Sequence, residues 1–252
     1  MSASKISHPD SDPRETAVLS ALSGLDGMDL LSKAMLEIFP RRTAVVSSFG
    51  VESAVLLHLV ARVDAATPIL FLETEMHFPE TAAYRRLLTD RLGLSDVRLV
   101  RPDPSERSRK DPHDVLWRRD PDRCCALRKV RPLDRALEGF DAWISGRKRF
   151  HGGARAALAP IEWERDGADR ARVKLNPLAG WSAAQIDVYF DRYALPRHPL
   201  WAAGYPSVGC APCTAKPPRG AADPRAGRWS GSAKTECGIH RPARPAAPAD
   251  RG

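Results

Sequence analysis

Five cysteines carry the first chemical signal in this chain: an adjacent pair, Cys124-Cys125, a Cys210-Ala-Pro-Cys213 pair, and a last one in Lys234-Thr-Glu-Cys237-Gly-Ile-His240. Two pairs can close a four-thiolate metal site, and the fifth thiol is left over. Lys234 and His240 flank Cys237 at three residues on either side, a setting that favours the thiolate, which is the nucleophilic form. The ligand softness of the two pairs suits zinc or an iron–sulfur cluster. Neighbouring helical residues point about 100° apart, so two adjacent thiolates reach one small ion only with strain, whereas a four-iron cube offers each a different iron. Spacing alone leaves the two metals level, with buried structural cysteines as the plain alternative.

Two further features belong to the same chemistry. Ser47-Ser48-Phe49-Gly50-Val51-Glu52-Ser53 follows a β-branched run and precedes an apolar helix. Such a strand-to-helix loop can present backbone N–H groups and a helix N-terminus to an anion, although one glycine also fits an ordinary turn. Basic residues then cluster beside each suspected element: Arg128-Lys129-Val-Arg131 at the first cysteine pair, Arg147-Lys-Arg149 through Arg155, and Arg225 with Arg228 ahead of Cys237. Arginine forks bind phosphate and sulfate oxygens bidentately.

The elements that must position these residues alternate. Thr43–Phe49, Pro68–Leu72, Val97–Val100 and Ala142–Ser145 read as strands. Ala17–Phe39, Glu52–Arg62, Pro79–Leu92 and Cys124–Leu137 read as helices, which gives βαβ units and a mainly parallel sheet. Past Phe150, Ala159–Trp163 and Ala171–Leu175 read as two short strands. Ser182-Ala-Ala-Gln185 is a capping box opening a helix with Ile186, Tyr189, Phe190 and Tyr193 on one face. The expected organisation is a disordered lead over 1–14, an α/β domain over 15–213, a mobile irregular segment over 214–240 carrying the nucleophile, and a low-complexity Pro/Ala tail over 241–252.

The 252 residues carry a net charge of +8, which favours anionic partners. No run approaches the roughly 20 apolar residues of a membrane span, and the polar N-terminus lacks a signal-peptide core. A cytoplasmic location is the expectation, where thiols stay reduced and cysteines serve metals or catalysis.

Taken in order, these residues resemble the assimilatory sulfonucleotide reductases, in their cluster-bearing adenylyl-sulfate (APS) branch. The resemblance runs from about Arg41 to His240. It rests on Cys124-Cys125-Ala-Leu-Arg-Lys129-Val-Arg-Pro-Leu, Leu175-Asn-Pro-Leu-Ala-Gly-Trp-Ser, Gly209-Cys-Ala-Pro-Cys213-Thr, Gly227-Arg228-Trp and Glu236-Cys237-Gly-Ile-His240, with Leu72-Glu-Thr-Glu-Met-His-Phe-Pro-Glu-Thr81 after the second strand. It implies an adenine-nucleotide α-hydrolase-like fold and a [4Fe–4S] cluster on Cys124, Cys125, Cys210 and Cys213. It also implies Cys237 as nucleophile, phosphosulfate contacts from Lys129, Arg155, Arg225, Arg228 and His240, and a nucleotide loop of Ser47, Ser48, Phe49, Gly50 and Glu52. The implied reaction is reduction of APS to sulfite and AMP through a Cys237 S-sulfonate, with thioredoxin or a glutaredoxin-like protein as donor, in sulfate assimilation and cysteine biosynthesis. The stretch Arg147-Lys-Arg-Phe-His-Gly-Gly-Ala-Arg155 departs from the family's usual Arg-Arg-x-Gln-Ser.

Three rivals follow from the same residues. A reductase of the 3′-phosphorylated nucleotide (PAPS), or a dual one, shares the mechanism, but that branch lacks both cysteine pairs. An ATP-dependent tRNA-thiolating enzyme shares the fold, but its Ser-Gly-Gly-x-Asp-Ser loop is not matched by Gly50-Val51-Glu52-Ser53. A zinc-stabilised nucleic-acid module explains neither Cys237 nor the loop, which argues against nucleic acid as partner. Whether the chain forms a homo-oligomer is left open.

Overall fold

Five short β-branched or apolar runs pair in parallel and one more closes the edge, giving a six-stranded sheet in the order β3-β2-β1-β4-β6-β5. The strands are β1 (Thr43–Ser47), β2 (Ile69–Leu72), β3 (Val97–Val100), β4 (Ala142–Ser145), β5 (Ile161–Arg165) and β6 (Ala171–Leu175). Only the β5–β6 pair is antiparallel. All residues of β1, β2 and β4 are buried, as central parallel strands covered on both faces must be. The computed structural model describes residues 13–165, 171–232 and 234–240. The low-complexity tail and all but the last two residues of the expected lead lie outside them.

The helices are α1 (Pro13–Leu22), α2 (Gly27–Ser32), α3 (Ser53–Asp64), α4 (Pro79–Leu92), α5 (Pro104–Lys110), α6 (Leu116–Arg119), α7 (Pro121–Cys125), α8 (Arg131–Ala136), α9 (Ala183–Arg192) and α10 (Pro199–Ala202). The single helix expected over 17–39 is two. Gly24 takes φ +75° and breaks it, and Gly27 then donates its N–H to the Pro177 carbonyl at 2.9 Å. The helix expected over 124–137 is one run with a widened π turn at Ala126–Val130 joining α7 to α8. Pro132 supplies no N–H to the carbonyl four residues back, which gives the widening a local cause. The capping box at Ser182 and Gln185 forms as read, and α9 buries Ile186, Tyr189 and Phe190.

Side chains alternate across the sheet into two cores. Val45, Ile69, Phe71, Ile144, Val173 and Leu175 face one way, against residues of α2, α3 and α9. Ala44, Val46, Leu70, Leu72 and Trp143 face the other, against Leu133 and Leu137. Connectivity makes the site predictable. From β1 the chain winds outward through β2 to β3, then returns to the opposite side of β1 as β4. The loops leaving β1 and β4 therefore diverge, and the crevice between their carboxyl ends is where open α/β sheets bind ligands.

Candidate active site

At that crevice lies a cavity of about 200 Å³. Its floor is the end of β1 with the turn into α3, contributing Ser47, Ser48, Gly50, Glu52 and Ser53; the end of β4 and the loop after it add Ser145 through Lys148. The turn is tight because Phe49 takes φ +47° and donates its N–H to the Ser47 hydroxyl at 3.1 Å. That conformation sends the Phe49 ring into the core, 0 % exposed and edge-on to Phe71. Among the loop residues singled out from sequence, Phe49 alone is not on the cavity wall.

Glu52 is held from two sides. Its carboxylate lies 2.7 Å from the Lys148 ammonium and 3.1 Å from His151 Nε2. Burial alone would raise its pKa, but Lys148 and His151 outweigh it and bring the group down to about 2. His151 itself is pushed below its ordinary value by burial, against the pull of Glu52. In the basic run 147–149, Arg147 and Lys148 line the cavity, while Arg149 donates Nε to the Leu158 carbonyl at 2.7 Å.

The opposite wall is irregular chain from beyond residue 205. Arg225, Arg228, Trp229, Glu236, Cys237, Ile239 and His240 all reach the cavity. This segment is pinned to the Cys210–Cys213 turn by Ala215 N–H to the Gly227 carbonyl at 2.8 Å and Trp229 N–H to the Cys213 carbonyl at 3.0 Å. His240 stacks on Trp143 of β4, ring centroids 5.5 Å apart and 10° from parallel. Burial first, then Arg147, Lys174, Arg155 and Arg225, drive its pKa well below the ordinary histidine value. His240 is thus a neutral imidazole and gives Cys237 no positive charge. Lys234 pairs with Asp122.

Lys129 is a cation that interacts both with Cys237 and with thiols of the two pairs. Burial would lower its pKa, but the thiols of Cys210, Cys237 and Cys125 together raise it. Lys129 and Trp229 also form part of a second, small cavity whose walls include Cys124, Cys125, Cys210 and Cys213. The two cysteine pairs read from sequence are therefore together, one wall away from Cys237. Helix α7 supplies the first pair. The second is delivered by the turn after β2: His77 bridges to Cys210, Ala211 donates to the Met76 carbonyl at 2.7 Å, and Thr74 Oγ1 lies 3.3 Å from the Cys210 sulfur. Arg128, 1 % exposed, locks this turn through the Thr74 carbonyl at 2.9 Å and Asp111 at 2.8 Å.

Burial and neighbouring thiols push Cys124 up to about 12 and Cys125 up to about 11, and they raise Cys213 as well. Cys210 goes the other way, because Lys129, Thr74 and Arg228 overcome its burial. Such mutual repulsion is what a bound cation relieves. Among the described residues no three His, Cys, Asp or Glu side chains converge as on a single ion. Four thiols spaced around a cavity instead of a point are a donor set that an iron–sulfur cluster could use.

The comparisons with known proteins meet this geometry. Residues 42–216 match the phosphoadenosine phosphosulfate reductase domain. The chain belongs to that family. A relative from Mesorhizobium japonicum, named adenosine 5′-phosphosulfate reductase, is 44 % identical over 90 % of this chain and 87 % of its own length. A phosphoadenosine 5′-phosphosulfate reductase from Gloeobacter violaceus is 40 % identical over 84 % of this chain and 89 % of its own. The phosphoadenylyl-sulfate reductase structure from Candida auris superposes with a TM-score of 0.65 at 25 % identity, covering 81 % of this chain and 98 % of that one. The fold is accordingly the adenine-nucleotide α-hydrolase-like arrangement expected from the resemblance, in a reductase family acting on sulfur.

Sequence reasoning passed over several members of this reductase's cavity. Arg147 and Lys148 were visible as a basic run without assigned roles. Glu236 stood inside the quoted Glu-Cys-Gly-Ile-His motif, where a carboxylate beside a nucleophile among cations was itself a signal. The stacking of Trp143 under His240 had no sequence signature.

Proposed function

We propose that this chain reduces adenosine 5′-phosphosulfate to sulfite and AMP, with Cys237 as nucleophile and a thioredoxin-type dithiol as reductant, in sulfate assimilation and cysteine biosynthesis. The observation that carries this reading is the shared cavity: Cys237, the Ser47–Glu52 turn at the sheet's switch point, and Lys129, Arg155, Arg225 and Arg228 face one space.

The Cys237 thiolate attacks the sulfate sulfur. The S–O bond to the nucleotide phosphate breaks, its electron pair leaves on AMP, and a Cys237 S-sulfonate remains. A donor thiolate then attacks the Cys237 sulfur; the S–S bond breaks with its electron pair on sulfite, leaving a mixed disulfide. The donor's second thiol displaces Cys237 as thiolate and closes the donor disulfide, so the two electrons that turn sulfate into sulfite come from the dithiol. Lys129 and the arginines offset the charge that would otherwise repel a thiolate from a polyanion. In this reading Cys124, Cys125, Cys210 and Cys213 hold a [4Fe–4S] cluster, which when bound supplies structural closure and a local electrostatic field. The neutral His240 can serve the substrate as a hydrogen-bond partner, not as a charge. A cytoplasmic location and the reduced donor pool belong to the same proposal.

The PAPS-using relative at 40 % identity keeps a dual or PAPS reductase as the second reading. Anaerobic sulfite release from APS and from PAPS, with reduced thioredoxin, tests both. Strong preference for APS supports the first reading and comparable rates the second. No sulfite from either overturns the assignment in favour of ATP-dependent thiolation on the same fold.

A further inference from the structure

Glu236 precedes the nucleophile by one residue, and its carboxylate is bound by the arginines given to the substrate above. Arg155 donates Nε to Oε1 at 2.5 Å and Nη2 to Oε2 at 2.9 Å, the bidentate fork that sulfate and phosphate oxygens also use. Its remaining nitrogen, Nη1, lies 3.2 Å from His151 Nδ1. Arg225 Nη2 lies 3.4 Å from the same carboxylate and donates to the Thr235 carbonyl at 2.8 Å. The fork edge of Arg155 is therefore occupied by the protein's own anion, on the segment that carries Cys237.

Leaving that edge is costly unless another anion arrives. Arg147, Arg155, Arg225 and Arg228 share the cavity with Lys129. Burial, then Arg155, already lowers Arg225 to about 10, and burial with Arg155 also lowers Arg147. Withdrawing the carboxylate alone would leave these cations facing one another in a partly desolvated space. An exchange of one anion for another keeps the charge balanced.

We propose that Glu236 is a positioning residue that competes with the substrate's phosphosulfate for Arg155 and Arg225. It docks the Cys237 segment on those arginines, and an incoming oxyanion displaces it, so that binding resets the placement of the adjacent thiol. This inference rests on the reading of the cavity as a phosphosulfate site.

The test compares Glu236→Gln with Glu236 in a Cys237→Ser background, which cannot be sulfonated. Affinity is measured by calorimetry for APS and, independently of any reaction, for inorganic sulfate. Gln keeps the shape and loses the charge, so both anions are expected to bind about five- to tenfold more tightly. A merely structural role would loosen the segment and weaken binding. Equal or weaker binding of both overturns the proposal, even where the wild type releases sulfite normally. Tighter sulfate binding upholds it, even where the wild type releases none and the proposed function falls. Should Glu236→Gln fail to fold, hydrogen exchange of residues 234–237 in the Cys237→Ser chain decides the matter. Faster exchange on saturation with sulfate is expected, and unchanged or slower exchange refutes the competition.

Discussion

Glu52 shows how one half-buried carboxylate ties the turn after β1 to the loop after β4. Lys148 is only 3 % exposed, so its ammonium depends on Glu52 for charge balance. Removing one partner of such a pair typically costs about 3–5 kcal/mol, because the other is left buried and unpaired. Glu52→Gln should therefore lose stability of that order at pH 7, measured by urea unfolding. Lys148→Met added to it should recover most of the loss. The pH dependence has a definite sign. The folded pKa of Glu52, about 2, lies below the ordinary 4.5, so its contribution is complete above about 4.5 and is lost as pH falls toward 2. The gap between wild type and Glu52→Gln should accordingly narrow through that window; a gap that stays constant to pH 2.5 would mean the carboxylate does not carry it. Charges of this kind set the limits of residue-level reading. Type and spacing single out Cys124, Cys125, Cys210, Cys213 and Cys237 as two pairs and one left over, whereas the neutrality of His240 comes from burial among Arg147, Arg155 and Lys174, which only the fold assembles.

At the scale of elements, two glycines in the C-terminal wall separate docking from binding. A Cβ at Gly227 would sit 2.0 Å from the Ala215 carbonyl oxygen and 3.0 Å from its carbon, which is backbone that cannot yield without breaking the Ala215–Gly227 hydrogen bond. A Cβ at Gly209 would meet the Arg228 guanidinium at 2.1 Å, the movable end of a side chain. Gly227→Ala should displace the whole segment and lower kcat/KM for APS by about a hundredfold or more, since a thiol misplaced by an ångström loses that much. Gly209→Ala should raise KM by roughly tenfold through Arg228 and leave kcat within about twofold. Steady-state sulfite release separates the two patterns, and a kcat loss in Gly209→Ala would contradict the assignment of Arg228 to binding. The sequence pattern found β3, β4 and β6 to the residue and the other strands within two; β4 reads as a continuous apolar run, while β3 and β6 alternate apolar and basic residues. It missed the break at Gly24 and the π turn before Pro132. Gly24 and Pro132 are local causes that the apolar pattern does not register, and packing then uses both features: Gly27 lies against the Trp181 ring, and Arg128 in the π turn reaches back to Thr74. Arg155 ends the short 3-10 turn Gly153–Arg155, capped by Gly152; both glycines have positive φ, a local path that brings Arg155 to Glu236 without a family-like motif.

On the scale of the whole molecule, the four-cysteine cavity joins the two halves of the chain. Cys125 and Cys210 are separated by 85 positions (210 − 125), and the sheet's β4, β6 and β5 are laid down between them. A cross-link over a loop of that length removes about 4.6 kcal/mol of unfolded-chain entropy in the loop-closure picture, an upper figure where the link is a metal group rather than a covalent bond. The second pair is also the anchor of the catalytic wall, through the Cys213 carbonyl and the His77–Cys210 bridge. If a cluster closes this link, loss of one ligand should loosen the fold and the Cys237 segment together. Cys213→Ser is expected to lower bound iron from about four atoms per chain and to reduce Tm by roughly 5–10 °C. Cys237→Ser, one wall away, should abolish sulfite release while leaving iron content and Tm as in the wild type. Anaerobic purification with iron and sulfide analysis, followed by thermal unfolding and a sulfite-release assay of the same samples, reads all three quantities. A full iron complement in Cys213→Ser, or zinc in its place in the wild type, would remove the cluster from the four cysteines. Iron lost with Tm unchanged would keep the cluster but end its role as the fastening between halves, and its field at Lys129 would then be the contribution left to examine.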